Sequence, residues 1–439
     1  MNIAVIGTGY VGLVAGSCFA ESGNDVWCVD NDVAKIENLQ KGVIPIYEPG
    51  LPEIIERNVR EERLTFTTDF EAAVKRSFVI FVAVGPPPLP NGAADLRAVL
   101  DVAAAIGRAM DRYKVIVVKS TVPVGTNEKI REILKSATTH PFDLLSNPEF
   151  LKQGAAVEDF MKPDRVIVGA DDVRPAEILR DLYGPFVRTG SPVLIVNTRT
   201  AEMLKYAANA FLAARISFMN EIANLCERVG ANVDMIRKGL ASDSRIGPAF
   251  LFPGVGYGGS CFPKDIRALI DTGRQHQYEM KILEAVDAVN QGQALRFVEK
   301  VRNHFKGNLR DKHFGIWGLS FKPRTNDMRD APAIKIIENL ITDGATVVAY
   351  DPEAHDEAEK IFGARIQQAE GVSYACSSAY GAARCSRHLD GRDERLGSPG
   401  ATFRAFAPNP RNHYYWARRS NCKISRPAVR RYRVFHQAF

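Results

Sequence analysis

"NIAVIGTGYVGLVAGSCFAESGNDVWCVD", residues 2–30, runs from a short apolar stretch through a glycine-rich turn and a helical pattern to a second apolar stretch ending on an acid. Gly7, Gly9 and Gly12 stand in GxGxxG spacing, directly after the predicted strand and before the helical "LVAGSCFAESG". Glycines there permit a tight turn, close approach of the backbone to a pyrophosphate and packing of helix on strand, while the helix N-terminus faces the phosphates. Asp30 follows Gly12 by 18 residues, at the end of the next strand, where a carboxylate accepts from ribose hydroxyls and repels a 2′-phosphate. Strand, turn, helix, strand and acid in that order predict a dinucleotide site for NAD rather than NADP. The competing reading is a glycine turn beside a surface acid.

The pattern continues outward. "FVIFVAVG" (78–85), "KVIVVKS" (114–120) and "DLLSNPEF" (143–150) alternate with polar, helix-like segments, which predicts a parallel sheet with crossover helices. Ligands gather beyond the carboxyl ends of such strands. Those ends are Gly7–Gly12, Asp30, Gly85, Ser120 with Thr121, and Asn147 with Glu149. From about 199 to 229 the chain has no Pro, no interior Gly and many helix formers, so a long helix ending at Gly230 is expected. A second helical stretch runs from about 280 to 305. After "RDKHFGIWGLSFK" (310–322) the α/β pattern returns, with a strand, a helix near 332–342 and "ATVVAYDP" (345–352). A third strand is due soon after 365, yet none is apparent.

The expected fold class is therefore α/β, with two doubly wound Rossmann-like domains joined by a central helical region containing the long helix. The boundaries expected are 1–196, 197–305 and 306–370. From Gly371 to 439 the chain is rich in Arg, Ser, Pro and aromatics. This basic tail reads as a shifted reading frame or foreign junction, with a nucleic-acid-binding extension as the alternative.

Charge follows the same division. Of the 57 Lys+Arg and 51 Asp+Glu, 13 and 3 fall in 371–439, which leaves 44 and 48 upstream. The body is mildly acidic, so the formal charge of +6 does not argue for a nucleic-acid partner. Seven cysteines, from Cys18 to Cys422, lack CxxC pairs and zinc-ligand spacing, against both a disulfide framework and a structural metal. A reducing, cytoplasmic setting is expected. The apolar opening lacks a basic leader and is interrupted by glycines, so it reads as folded protein. No run reaches about 18 apolar residues, and no membrane span is expected.

"GYGGSCFPKD" (256–265) holds Cys261 in a glycine-rich loop with Lys264 and Asp265 close behind. A cysteine near a cation can fall below its ordinary pKa of about 8.5 and act as a nucleophile; a free cysteine is otherwise a small buried hydrophobe. Cys18, Cys28 and Cys226, inside apolar elements, fit the second description. A nicotinamide cofactor with a nucleophilic thiol is the equipment for oxidising an aldehyde through a thioester.

"GTGYVG" (7–12), "STVPVGT" (120–126), "SNPEFLKQG" (146–154), "EMLKYAANAF" (202–211), "PGVGYGGSCFPKD" (253–265) and "FKPRTNDMRDAP" (321–332) together resemble the UDP-glucose/GDP-mannose dehydrogenase family, its UDP-glucose 6-dehydrogenases above all, from residue 1 to about 369. The resemblance implies an N-terminal NAD-binding domain, a central helical and dimerisation domain carrying the cysteine loop, and the start of a UDP-sugar domain. It implies oxidation of the C6 alcohol of UDP-glucose to a carboxylate with two NAD reduced, in a homodimer or higher homo-oligomer, with no metal, nucleic-acid or membrane partner.

By the same resemblance Cys261 is the nucleophile, and Lys205 and Asn209 are oxyanion and substrate groups. Their four-residue spacing supports this by setting both on one helical face; an ordinary solvated lysine is the alternative for Lys205. Thr121, Glu149 and Asp265 serve water and cofactor, or are plain loop polar residues. Gly7, Gly9, Tyr10, Val11, Gly12, Asp30, Lys35, Ser120, Thr121, Glu149, Lys264 and Arg329 are implied cofactor contacts. Glu149, Phe150, Leu151, Lys152, Lys205, Asn209, Phe250, Leu251, Phe252, Pro253, Gly254, Gly258 and Lys322 are implied sugar-nucleotide contacts, with Arg245 reaching a partner subunit.

Two departures stand out. Gly85-Pro86-Pro87 replaces the Gly-Thr-Pro usual in the family, removing a hydroxyl and a backbone donor near the cofactor, so weaker NAD binding is expected. The tail offers no counterpart to the strands that complete the UDP-sugar domain, which leaves a sheet stopped after two strands with its edges exposed. A sibling nucleotide-sugar dehydrogenase, acting on GDP-mannose or a UDP-acetamidosugar, and a non-catalytic NAD-binding remnant remain alternatives.

Overall fold

The computed structural model describes residues 1–187, 190–370 and the backbone of 433–436. The basic tail spans 371–439 and, apart from that backbone, lies outside the described residues. Two compact units emerge: Met1–Ala214 with Cys261–Asp287, and Arg215–Ser260 with the described residues from Ala288 on. The cysteine loop is thus divided, its residues up to Ser260 in the second unit and those from Cys261 in the first.

The first unit is built by strand–helix alternation. Its elements are β1 (Asn2–Ile6), α1 (Tyr10–Glu21), β2 (Asp25–Val29), α2 (Val33–Gln40), α3 (Leu51–Arg60), β3 (Leu64–Thr67), α4 (Phe70–Arg76), β4 (Val79–Val82), α5 (Arg97–Ala109), β5 (Lys114–Val118), α6 (Thr126–Ala137), β6 (Phe142–Ser146), α7 (Ala156–Met161), β7 (Val166–Gly169), α8 (Val173–Tyr183) and β8 (Val193–Val196). The eight strands lie in the order β3-β2-β1-β4-β5-β6-β7-β8, parallel throughout except for the antiparallel step from β6 to β7. Central β4 and β5 are buried along their whole length, which is why they read as unbroken apolar runs. Three strands, β3, β7 and β8, lie outside the sequence expectation. Of these, β3 (LTFT) alternates buried and part-buried residues and β8 (VLIV) is largely part-buried. Both are four-residue edge strands with weak sequence signals.

Helix starts differ in a way that matters for the site. Asp32, Asp69 and Asp172 cap α2, α4 and α8 by accepting a first-turn N–H. Gly9 precedes α1 with no side-chain cap, so the first-turn donors of α1 are left for a ligand.

The long α9 (Thr198–Val229) appears where expected and gives its first part to this unit. The chain continues through α10 (Val233–Ser242), α11 (Phe262–Gln275) and α12 (Lys281–His304) into β9 (His313–Trp317), α13 (Pro332–Thr342), β10 (Thr346–Tyr350), α14 (His355–Phe362), β11 (Gln367–Gln368) and β12 (Arg433–His436). In the second unit the strands run in the order β11-β10-β9-β12, all parallel. The expectation of a sheet stopped after two strands is corrected: β11 flanks β10 and the backbone of β12 flanks β9. The third strand is two glutamines long, and a polar edge strand carries no apolar run to announce it. Phe314, Ile316, Ile337, Leu340, Val347 and Phe362 form the core of this unit. Among the described residues no helix is long and apolar enough to cross a membrane.

The core of the first unit turns on Phe19 of α1. It is fully buried, with ring centroids at 4.9 Å from Phe81, 5.0 Å from Phe160 and 5.5 Å from Tyr183. Phe19→Ala leaves a cavity among rings fixed by three different elements. It should lower unfolding free energy by about 3–5 kcal/mol in denaturant titration, and a loss under about 1 kcal/mol would show that the rings close over the gap.

Candidate active site

The first cluster is the turn after β1. Gly7 has φ +101°, and a Cβ there would lie 3.0 Å from Val84 Cγ1. At Gly12 a Cβ would come within 1.9 Å of the Gly7 carbonyl oxygen. Nothing lies within 4 Å of a Cβ at Gly9, so that face is open for a ligand's close approach. Asp30 Oδ2 accepts the Thr8 N–H at 2.9 Å, the Thr8 hydroxyl at 2.7 Å and Lys35 Nζ at 2.9 Å, and Asp32 N–H reaches Oδ1 at 3.2 Å. Burial pushes this carboxyl up, but the Thr8, Lys35 and Asp32 donors outweigh it and hold Asp30 at about 2. A fixed carboxylate beside an uncapped helix start fits the ribose and phosphates of NAD. Thr8 belongs to this cluster although no motif singles it out; a hydroxyl between the first two glycines is the available signal.

Ser120 is buried, its hydroxyl donating to Val84 O at 2.6 Å and Val82 O at 3.1 Å, so it ties the end of β5 to β4. Thr121 follows it half-buried. Pro86 lines a small cleft with Tyr206, Lys264 and Asp265.

The second cluster surrounds the thiol. Lys205 and Asn209 lie one turn apart on α9 and both are buried. Lys205 Nζ pairs with Glu149 Oε1 at 2.9 Å, with side chains 4% and 7% exposed. Asn209 Nδ2 donates to Asp265 Oδ2 at 2.7 Å, and Lys264 Nζ meets Asp265 Oδ1 at 2.5 Å. Cys261, partly exposed, precedes α11, and its carbonyl accepts the Asp265 N–H at 2.9 Å. The solvated-lysine alternative for Lys205 is therefore excluded by burial.

Next to Glu149, Phe150 has the Lys205 ammonium 5.2 Å and the Arg165 guanidinium 3.9 Å from its ring centroid. Leu151 N–H donates to Glu149 Oε2 at 2.6 Å, while Asp159 holds both the Lys152 N–H (2.7 Å) and its Nζ (2.9 Å).

Burial works against both charges of the central pair, and each partner overcomes it for the other. Glu149 sits below the ordinary carboxylate range, held by Lys205, the Leu151 N–H and Lys119. Lys205 sits above the ordinary lysine value, held by Glu149 and Asp265. The expectation of a depressed thiol is corrected: burial first, then Glu149 and Asp265, push Cys261 up past the opposing pull of Lys205 and Lys264. Its ligand-free form is a neutral thiol. Lys119 joins the group without any sequence motif to mark it. It is buried below the same strand ends, donating at 3.0 Å to both Asn147 Oδ1 and Tyr183 Oη, and burial pushes it down to about 8.

Other residues expected at the site belong to the second unit. The Arg245 guanidinium pairs with Asp243 at 2.7 Å and its side chain is 87% exposed. Phe250 adopts φ +59°, Leu251 is buried, and Phe252 has the Arg237 guanidinium 4.4 Å from its ring centroid. After Pro253, the Gly254 N–H donates to Asn220 Oδ1 at 2.7 Å and its carbonyl accepts from Gln293 Nε2 at 2.9 Å. Gly258 precedes Gly259, whose N–H donates to Arg329 O at 2.8 Å. Arg329 pairs with Asp327 at 2.7 Å, and Lys322 Nζ lies 5.4 Å from the Phe321 ring centroid.

Comparison with known proteins bears on all three parts of the chain. Residues 1–187 match the NAD binding domain of the UDP-glucose/GDP-mannose dehydrogenase family, 199–292 its central domain and 315–388 its UDP binding domain. The last match runs past 369, where the recognisable motifs end, into residues beyond those described. A UDP-glucose 6-dehydrogenase of Bacillus subtilis (strain 168) is 49% identical over 368 residues, covering 83% of this chain and 79% of that one. One of Rhizobium meliloti (strain 1021) is 47% identical over 367 residues, covering 82% and 84%. The structure of a UDP-glucose dehydrogenase from the hyperthermophilic archaeon Pyrobaculum islandicum superposes with a TM-score of 0.81 at 39% identity, covering 85% of this chain and 87% of that one. With an NAD-shaped turn, a thiol among paired charges and matches in all three domains, the chain belongs to the UDP-glucose/GDP-mannose dehydrogenase family of NAD-dependent oxidoreductases.

Proposed function

We propose that this chain oxidises the C6 alcohol of UDP-glucose to the carboxylate of UDP-glucuronate, passing through a thioester on Cys261. The observation that carries this reading is the electrostatic grouping of Cys261 with Glu149, Lys205, Lys264 and Asp265 in the same unit as the NAD turn. Relatives that bear the name UDP-glucose 6-dehydrogenase at 47–49% identity favour UDP-glucose over its siblings.

NAD, when bound, supplies the hydride acceptor twice. The protein's own part begins with Lys205, which Glu149 keeps as a fixed ammonium against the cost of burial. It faces the oxygen at C6 and stabilises the negative charge that develops as that oxygen passes its proton to water ordered by Asp265. Asn209 is held by Asp265 and orients the same oxygen. The neutral thiol of Cys261 keeps a second negative charge away from this alkoxide. At the aldehyde stage its sulfur bonds to C6 as its proton passes to the carbonyl oxygen, giving a thiohemiacetal. Loss of a second hydride together with the hydroxyl proton leaves the thioester, and a water ordered by Asp265 cleaves the C–S bond, giving the carboxylate and restoring the thiol with release of a further proton. Overall one alcohol and one water become a carboxylate, with two NAD reduced and three protons released. Glu149 holds Lys205 in place, while Thr121 and Lys264 flank the cofactor side. The outward-facing guanidinium of Arg245 suits a contact with a partner subunit, so the active form is at least a dimer.

Three measurements test this. Incubation with UDP-glucose and excess NAD should yield two NADH per sugar consumed; preferential turnover of GDP-mannose would assign a sibling activity, and NAD binding without turnover a non-catalytic one. Cys261→Ser should halt at the aldehyde stage, and normal glucuronate output from it would rule out the thioester route. Lys205→Met should reduce kcat/KM by about 10²–10³-fold, whereas an unchanged value would remove Lys205 from the oxyanion role.

A further inference from the structure

Glu48 lies outside every motif singled out in the sequence, in the "IPIYEPG" loop (44–50) ahead of α3. Its residue is only 2% exposed. Oε1 accepts the Ala156 N–H at 2.8 Å, and Oε2 accepts both the Gly154 N–H at 2.6 Å and the Tyr10 hydroxyl. The Tyr10 oxygen in turn lies 3.3 Å from the Gly154 N–H. Among the described residues no cation pairs with this carboxylate, so neutral donors alone compensate its burial and their positions matter. Burial and the neighbouring Glu48 push the Tyr10 hydroxyl above its ordinary value, which keeps it a donor.

The donors come from two places. Tyr10 opens α1, inside the glycine turn that meets the dinucleotide. Gly154 and Ala156 close the segment that starts at Glu149 and passes through Leu151 and Lys152. Elsewhere on that segment Glu149 on the Leu151 N–H and Asp159 on the Lys152 N–H stay local, and Lys205 ties Glu149 to α9. The pin at Glu48 crosses to the cofactor turn.

Resting on the proposed function, in which the 149–152 segment meets the sugar, we infer that Glu48 is a positioning residue that couples the two halves of the site. A dinucleotide on the α1 turn and a nucleotide sugar on the 149–154 segment each favour the arrangement in which Tyr10, Glu48 and Gly154 are joined. Each ligand therefore tightens the other, by the same factor in either order of addition.

The experiment is a titration of the full chain with NADH, with and without saturating UDP-glucose, and of UDP-glucose with and without NADH. Reduced cofactor and unoxidised sugar cannot react, so both stay intact. In the wild type each ligand should lower the Kd of the other by about fivefold or more. In Glu48→Gln and in Tyr10→Phe that ratio should fall towards one, within about twofold. A purely structural role for Glu48 would shift melting temperature and affinities while leaving the ratio as in the wild type, and that result overturns the inference. Absence of coupling in a wild type that binds both ligands also overturns it. Failure of the wild type to bind UDP-glucose at all would sink the proposed function, and this inference with it. Should Glu48→Gln not fold, Tyr10→Phe decides alone, since it keeps both backbone bonds to the carboxylate.

Discussion

The ion pair between Lys205 and Glu149 is the constraint on which the site rests. Two charges this deeply buried each lose several kcal/mol of hydration, and removing one partner from such a pair typically costs about 3–5 kcal/mol because the other is left alone. The pair is therefore obligatory once either residue is present. It joins the carboxyl end of β6 to the long helix α9, so sheet and helix hold each other in register at the point where ligands gather. One turn along the same helix Asn209 repeats the arrangement with Asp265. Cations and carboxylates thus alternate around Cys261, and the thiol responds to all four.

That alternation explains why a cysteine beside two lysines is not a resting thiolate. Desolvation and two carboxylates outweigh the two ammonium groups. Under the proposed reaction, in which negative charge first appears on a sugar oxygen, a neutral sulfur does not compete for Lys205. The same balance of charge governs the cofactor turn. Helices α2, α4 and α8 start under aspartate caps, whereas α1 begins at a glycine with no side-chain cap, and the Asp30 carboxylate beside its turn is committed to Thr8 and Lys35. The backbone donors of α1 remain for phosphate.

The second unit shows how composition can mislead about architecture. Apolar runs mark β9 and β10, and a helix is expected near 332–342, where α13 lies. The neighbouring β11 is Gln367–Gln368, and its pairing with Val348 and Ala349 runs through the backbone. Backbone hydrogen bonds carry no side-chain signature, so a polar edge strand escapes a reading that relies on hydrophobic pattern. What conceals β12, Arg433–His436, is distance along the chain: its partner β9 lies more than a hundred residues earlier.

The sequence by itself determined the α/β class, the dinucleotide turn with Gly7, Gly12 and Asp30, the extent of α9, and the candidacy of Cys261, Lys205 and Asn209. The first three follow from local rules, glycine spacing after a strand and an unbroken run of helix formers without Pro or interior Gly; the candidacy of Cys261, Lys205 and Asn209 follows from the family's motifs, with the four-residue spacing of the last two in support. Only the tertiary structure decided the partners. That Lys205 meets Glu149, that Asn209 meets Asp265, that the thiol is held neutral, and that Glu48 ties Tyr10 to Gly154 all involve bonds between residues 38 to 106 positions apart or fields summed over several such groups. Electrostatic energy depends on distance and burial in space, and neither is written in the order of the residues.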